Sequence, residues 1–132
     1  MNETKNLTIV GIGASAGSLE PIKSLISKIS SSDAFTYVIT QHLDPQKPTE
    51  LLEILSRVSP IPISMIENNE VIKSDRIYIC PPNYDLIIEK DSFKLITPNE
   101  NAYSTPSIDK FFISLAKNKE DKAIGIILSG AG

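Results

Sequence analysis

The run Leu7-Thr8-Ile9-Val10-Gly11-Ile12-Gly13-Ala14-Ser15-Ala16-Gly17 decides how the rest of this chain is read. Leu7 to Val10 is a short β-branched run ending in glycines, the pattern of a buried strand. Behind it, Leu19, Ile22, Leu25, Ile26 and Ile29 recur at helical spacing, with Lys23, Ser24, Ser27 and Lys28 on the opposite face. Pro21 falls where a first helical turn accepts it, since its missing N–H would have had no partner there.

The same order repeats downstream. Phe35 to Thr40 reads as a second strand, and Thr49 to Val58 as a second helix with Leu51, Leu52, Leu55 and Val58 inward, closed by Pro60. Ile61–Ile66 and Arg76–Cys80 read as strands. Asp85–Glu89 and Phe93–Ile96, separated by Lys90-Asp91-Ser92, read as a β-hairpin. Ser107 is the expected N-cap of a helix carrying Ile108, Phe111, Phe112, Leu115 and Ala116 on one face. Ala123–Leu128 is a final apolar strand running into Ser129-Gly130-Ala131-Gly132. Alternating strands and helices predict an α/β domain with a mainly parallel, Rossmann-like doubly wound sheet and a β-hairpin insertion. A glycine-rich turn after a strand normally leads into a covering helix, so residues 1–132 are expected to form one domain, truncated at its C-terminal end.

Two functional patterns overlap in the first glycine loop. From Gly11 it reads G-x-G-x-x-A, a dinucleotide-binding fingerprint. From Gly13 it reads G-x-S-x-G, the nucleophile elbow that lifts a serine hydroxyl above the sheet. A dinucleotide site wants an acidic residue at the end of the second strand, roughly 20 residues on, to bind the ribose. That strand instead ends in Thr40-Gln41-His42, and Asp44 comes late, just before Pro45. Histidine is what a serine nucleophile requires, because the hydroxyl must lose its proton during attack. Neighbouring strands lie about 4.8 Å apart, so Ser15 and His42, each just past a strand end, are expected to meet at one sheet edge. For a carboxylate to orient the imidazole the chain offers Asp44, Asp85 and Asp109, none well placed.

Composition narrows the classes. A net charge of −3 and a pI near 5.1 argue against a general nucleic-acid binder. One cysteine excludes an internal disulfide, and with one histidine a common zinc site is not available, so neither metal nor cofactor is expected. No run approaches the ~18–20 apolar residues of a membrane span, and the first ten residues lack a secretory pattern, which predicts a cytoplasmic protein. Cys80 ends an apolar strand and is expected to be a buried small residue; Phe111 and Phe112 are expected in the core.

Five ordered motifs then carry a resemblance: Gly13-Ala14-Ser15-Ala16-Gly17; Gln41-His42 with Leu43-Asp44-Pro45; Tyr78-Ile79-Cys80-Pro81-Pro82-Asn83; Pro106-Ser107-Ile108-Asp109 with Phe111-Phe112; and Leu128-Ser129-Gly130-Ala131-Gly132. In this order they resemble the catalytic domain of the CheB-type chemotaxis protein-glutamate methylesterases, from about Leu7 to the last residue. The resemblance implies a serine hydrolase that removes methyl esters from glutamate side chains on cytoplasmic chemoreceptor helices, some members also deamidating receptor glutamines. It implies Ser15 as nucleophile and His42 as general base. Backbone groups at Gly13, Ala16 and Ala131 would bind the oxyanion or substrate, and the triad aspartate would lie beyond Gly132. The family's receiver domain is not expected in front, because Met1 lies only six residues before the first strand, and the resemblance then implies a methyltransferase domain fused behind. The departures are Ala16 where many members have Thr, Ser18 in place of a second glycine, Thr105 where arginine is frequent, and Ala131 in place of methionine. Because the acid is absent, the alternative is a non-catalytic receptor-binding or sensory module of the same fold.

Overall fold

In a computed structural model, residues 6–15, 17–98 and 107–129 are described. They form, in chain order, β1 (Thr8–Ala14), α1 (Leu19–Ser27), β2 (Phe35–Gln41), α2 (Glu50–Ser56), β3 (Ile63–Met65) and β4 (Ile77–Ile79). β5 (Asp85–Glu89), β6 (Ser92–Ile96), α3 (Ile108–Lys119) and β7 (Ala123–Leu128) follow. Five strands make one sheet in the order β3-β4-β2-β1-β7, every neighbouring pair parallel. β5 and β6 form a separate antiparallel hairpin. The expected α/β, doubly wound architecture is the one adopted; α1 carries the chain back between the parallel neighbours β1 and β2, while β3 reaches its parallel neighbour β4 through residues 66–76 without a helix.

Each face of the sheet carries its own core. On one, Val10, Ile12, Ile39, Ile77 and Ile79 meet Ile22 and Ile26 of α1 and Leu51 and Leu55 of α2. On the other, Ile9, Val38 and Tyr78 meet Phe111 and Leu115 of α3 and Leu86, Ile88 and Phe93 of the hairpin. The alternation in β4 therefore runs between two cores, and all three of its residues are buried. Burying each such side chain contributes about 1.5–3 kcal/mol, which is why a strand with no solvent face is apolar at successive positions.

β1 runs further than its β-branched run suggests, through Gly11, Gly13 and Ala14. The reason is α3, which lies against those glycines. A β-carbon on Gly11 would stand 2.8 Å from Phe111 Cε2 and 2.9 Å from Leu115 Cδ2; one on Gly13 would stand 2.7 Å from Ile108 Cγ2. Gly125 of β7 admits Phe112 in the same way. Gly11→Ala is accordingly expected to destabilise the fold by about 1–3 kcal/mol through overpacking against an aromatic ring. A shift of less than 0.5 kcal/mol in chemical denaturation would contradict that packing.

α3 is capped as expected: the Ser107 hydroxyl accepts from the Lys110 N–H at 3.2 Å. Its polar side serves the hairpin, since Ser114 Oγ accepts from the Ile88 N–H at 3.0 Å and the Asn118 amide donates to the Ile88 carbonyl at 2.8 Å. Ala116, expected on the apolar face, is exposed, at the rim of a pocket that it lines with Phe112, Leu115, Ala123 and Gly125. Ser92, expected in the hairpin turn, pairs with Glu89, and Lys90 at φ 58° lets Lys90 and Asp91 make the turn alone.

Cys80 is fully buried, as expected, and burial together with the nearby Asp85 pushes its thiol up to about 12. The sign follows: the stability this neutral thiol confers is whole below the ordinary thiol value near ~8.5 and fades as pH rises toward that raised value. At pH 8 a disulfide reagent is expected to leave Cys80 untouched in the folded protein and to react completely in denaturant. Rapid modification of the folded protein would contradict the burial.

Candidate active site

The carboxyl ends of β1, β2 and β7 stand level, because Ala14 is in register with both Gln41 and Leu128. The residues that follow, Ser15 after β1 and His42 after β2, leave the sheet side by side on this edge, and both are exposed. This is the edge where open α/β sheets bind ligands.

The chain past β1 turns within four residues. The Ser18 N–H donates to the Ser15 carbonyl at 3.2 Å, and Gly17 takes φ 84°, the left-handed value that a side chain at this turn position resists. The last glycine of G-x-S-x-G is thus required by the turn, and the first, Gly13, by α3. Both neighbouring strands hold the turn in place. From β2, Gln41 Nε2 donates to the Ser15 carbonyl at 3.2 Å. From β7, the Leu128 carbonyl accepts the Ser15 N–H at 3.2 Å. The hydroxyl of Ser18 also donates to Leu128, at 3.1 Å, and lies 3.2 Å from Ser15 Oγ.

His42 is followed by Leu43, whose side chain is buried in the α1/α2 core and anchors the segment. Asp44 then closes a turn, its carboxylate accepting the Gln46 N–H at 2.9 Å and its carbonyl the Lys47 N–H at 3.0 Å. His42 lines a cleft of about 310 Å³ that begins at Gly17 and runs between the starts of α1 and α2. Leu19, Leu43, Leu51 and Ile54 give it an apolar wall; Gln41, Asp44, Lys47 and Glu50 give it a polar rim.

Of the carboxylates considered for orienting the imidazole, Asp44 is the one that shares this cleft, and its side chain is held in its own turn. Asp85 is buried and engaged elsewhere, accepting from the Ser107 N–H at 2.7 Å and from Lys110 Nζ at 3.0 Å; it ties the hairpin to the start of α3. Asp109 is exposed in the first turn of α3. Gly13 lies inside β1, paired on both sides. The expectations at Ala16 and Ala131 lie outside the described residues. Among the described residues no group of three or more His, Cys, Asp or Glu side chains could hold a metal ion, and no helix is long and apolar enough to cross a membrane.

Two contributors were not assigned a role from sequence. Gln41 was visible as a polar residue closing an apolar strand, and Ser18 as a departure from glycine. Their partners, the Ser15 carbonyl and the Leu128 carbonyl, are set by register between strands distant in sequence, which no local pattern encodes.

The family profile described as CheB methylesterase matches residues 10–132. A Leptospira interrogans protein, provisionally named protein-glutamate methylesterase/protein-glutamine glutaminase, is 37% identical over 127 residues, covering 96% of this chain and 66% of that protein. The protein-glutamate methylesterase/protein-glutamine glutaminase of Trichodesmium erythraeum is 34% identical over 134 residues, covering 98% of this chain and 38% of its own length. The crystal structure of the Thermotoga maritima CheB methylesterase catalytic domain matches with a TM-score of 0.85 at 24% identity, over 96% of this chain and 69% of that one; this likeness shows a common fold. The chain therefore spans less than two thirds of the length of these curated relatives.

Proposed function

Because the chain belongs to the CheB methylesterase family, we propose that it carries the nucleophile and general base of a protein-glutamate methylesterase acting on chemoreceptors. The observation that carries this reading is the level exit of Ser15 and His42 from neighbouring parallel strands, beside a cleft at the sheet's carboxyl edge.

In this reading His42 takes the Ser15 proton as Oγ bonds to the γ-carbonyl carbon of a glutamyl methyl ester. Negative charge moves to the carbonyl oxygen, where backbone N–H groups near Ala16 and Ala131 stabilise it. The tetrahedral species collapses by breaking the bond to the methoxy oxygen, which leaves as methanol with the proton held by His42. Water then attacks the glutamyl-serine ester, giving a proton to His42. Ser15 Oγ departs, recovers that proton, and a free glutamate side chain remains. Replacing methoxide by ammonia as leaving group turns the same sequence into glutamine deamidation, in keeping with the double name of the relatives. The acid that orients His42 comes from chain beyond Gly132, and the cleft wall of Leu19, Leu43, Leu51 and Ile54 receives the apolar side of a receptor helix. A cytoplasmic site and a fused methyltransferase domain belong to the same reading.

The test is methanol release from a methylated chemoreceptor fragment by the full-length protein, with ammonia release from its glutamine form measured in parallel. One methanol per ester consumed supports the esterase. Tight receptor binding with neither product released would instead identify a non-catalytic module of the same fold.

A further inference from the structure

Ser18 occupies the N-cap of α1 yet makes no side-chain cap. A serine at this position normally accepts a hydrogen bond from an N–H of the first turn, which stabilises a helix by about 1 kcal/mol. Here the hydroxyl, fully buried, is turned away from the helix and into the nucleophile turn: 3.1 Å from the Leu128 carbonyl and 3.2 Å from Ser15 Oγ. Resting on the assignment of Ser15 as nucleophile, we propose that Ser18 is a positioning residue that tethers Ser15 to β7 and turns its O–H to donate a hydrogen bond to the Ser15 oxygen as negative charge develops there.

The argument is a count of protons. Each hydroxyl has one to donate and each oxygen can accept. The Leu128 carbonyl accepts only. While Ser18 donates to it, the 3.2 Å pair is closed by the proton of Ser15. Once the Ser15 proton has gone to a base, the pair is closed the other way, by rotation of the Ser18 hydroxyl from Leu128 to Ser15 Oγ. No heavy atom moves. Leu128 is not stranded by this rotation, because its carbonyl keeps the Ser15 N–H at 3.2 Å. Partial negative charge stands on Oγ as His42 draws off its proton and again as Oγ departs from the acyl carbon, and a hydrogen bond to a charged oxygen is stronger than one between neutral hydroxyls, so the Ser18 contact is strongest at those two points of the reaction. It therefore contributes to rate and not to ground-state binding. Glycine at position 18 would leave the turn intact and remove this donor.

The experiment uses the full-length protein and two readouts: steady-state methanol release from a methylated receptor fragment, and the rate at which a fluorophosphonate modifies Ser15, forming the Oγ–P bond and expelling fluoride. Ser18→Ala is expected to lower kcat and the phosphonylation rate about tenfold, leaving KM within twofold. Ser18→Cys, which keeps a weaker donor on the same side chain, is expected to fall between parent and Ser18→Ala in both readouts. It also carries the test if Ser18→Ala does not fold. Both rates within twofold of the parent in Ser18→Ala, or in Ser18→Cys where Ser18→Ala does not fold, would overturn the assignment of Ser18 while Ser15→Ala remains inactive. Parent-like activity in Ser15→Ala would overturn the nucleophile assignment itself, and the Ser18 role with it.

Discussion

Ser15→Ala is expected to lower the rate of methanol release by at least a thousandfold, with the folded state essentially unchanged. The size follows from removal of the attacking atom: without Oγ no covalent glutamyl intermediate forms, and only residual binding and oxyanion stabilisation act on water's direct attack. Loss of a nucleophile of this kind costs on the order of 10³–10⁶ in kcat. The stability effect is small because Ser15 is exposed and its main-chain bonds, from its N–H to Leu128 and from Gln41 and Ser18 to its carbonyl, do not involve Oγ. A thermal melt beside the methanol assay separates the two. Activity within tenfold of the parent in a well-folded variant would remove Ser15 from the mechanism.

His42→Ala is expected to cost about as much, on the order of 10³-fold or more, and the two losses should not multiply. A base with no nucleophile to activate, and a nucleophile with no base, each leave the same uncatalysed route, so the double variant is expected at the level of the single ones. Multiplicative losses would mean that the two residues act in separate steps. The setting of His42 supplies a second measurement. It is exposed and lines a cleft of about 310 Å³, so its truncation leaves space open to solvent and not a sealed cavity. Added imidazole is expected to restore part of the rate to His42→Ala and none to Ser15→Ala.

The fold was legible wherever one residue's periodicity reflects one surface. The Leu51/Leu55 and Phe111/Leu115 pairs bury as their spacing predicts, and the β7 run Ala123–Leu128 is a strand over its whole length. Legibility failed where a tertiary neighbour overrode the local pattern. Gly11 and Gly13 look like the end of a strand and lie within one, because α3 approaches too closely for any side chain. Ala116 looks inward and is exposed, at the rim of a pocket between α3 and β7. At the site, Ser15 and His42 could be paired from strand ends alone, since register between adjacent parallel strands is a short-range consequence of the fold. Ser18 and Gln41 could not, because what they bind is a backbone carbonyl, and a carbonyl leaves no mark on the residue type that bears it.

The glycines beneath α3 also bear on how such chains are recognised. Gly11 and Gly13 present the first two positions of a phosphate-binding signature from inside a strand, and the space that their missing side chains leave is filled by Phe111, Leu115 and Ile108. The spacing is a mimic, produced by a helix pressed onto a parallel strand whose alternate residues all point toward it. The close approach is confined to two alternate positions: Ile9, two residues earlier on the same face, keeps its side chain in the core that Phe111 and Leu115 share. The glycine in the left-handed turn after the strand, Gly17, stands instead behind a serine.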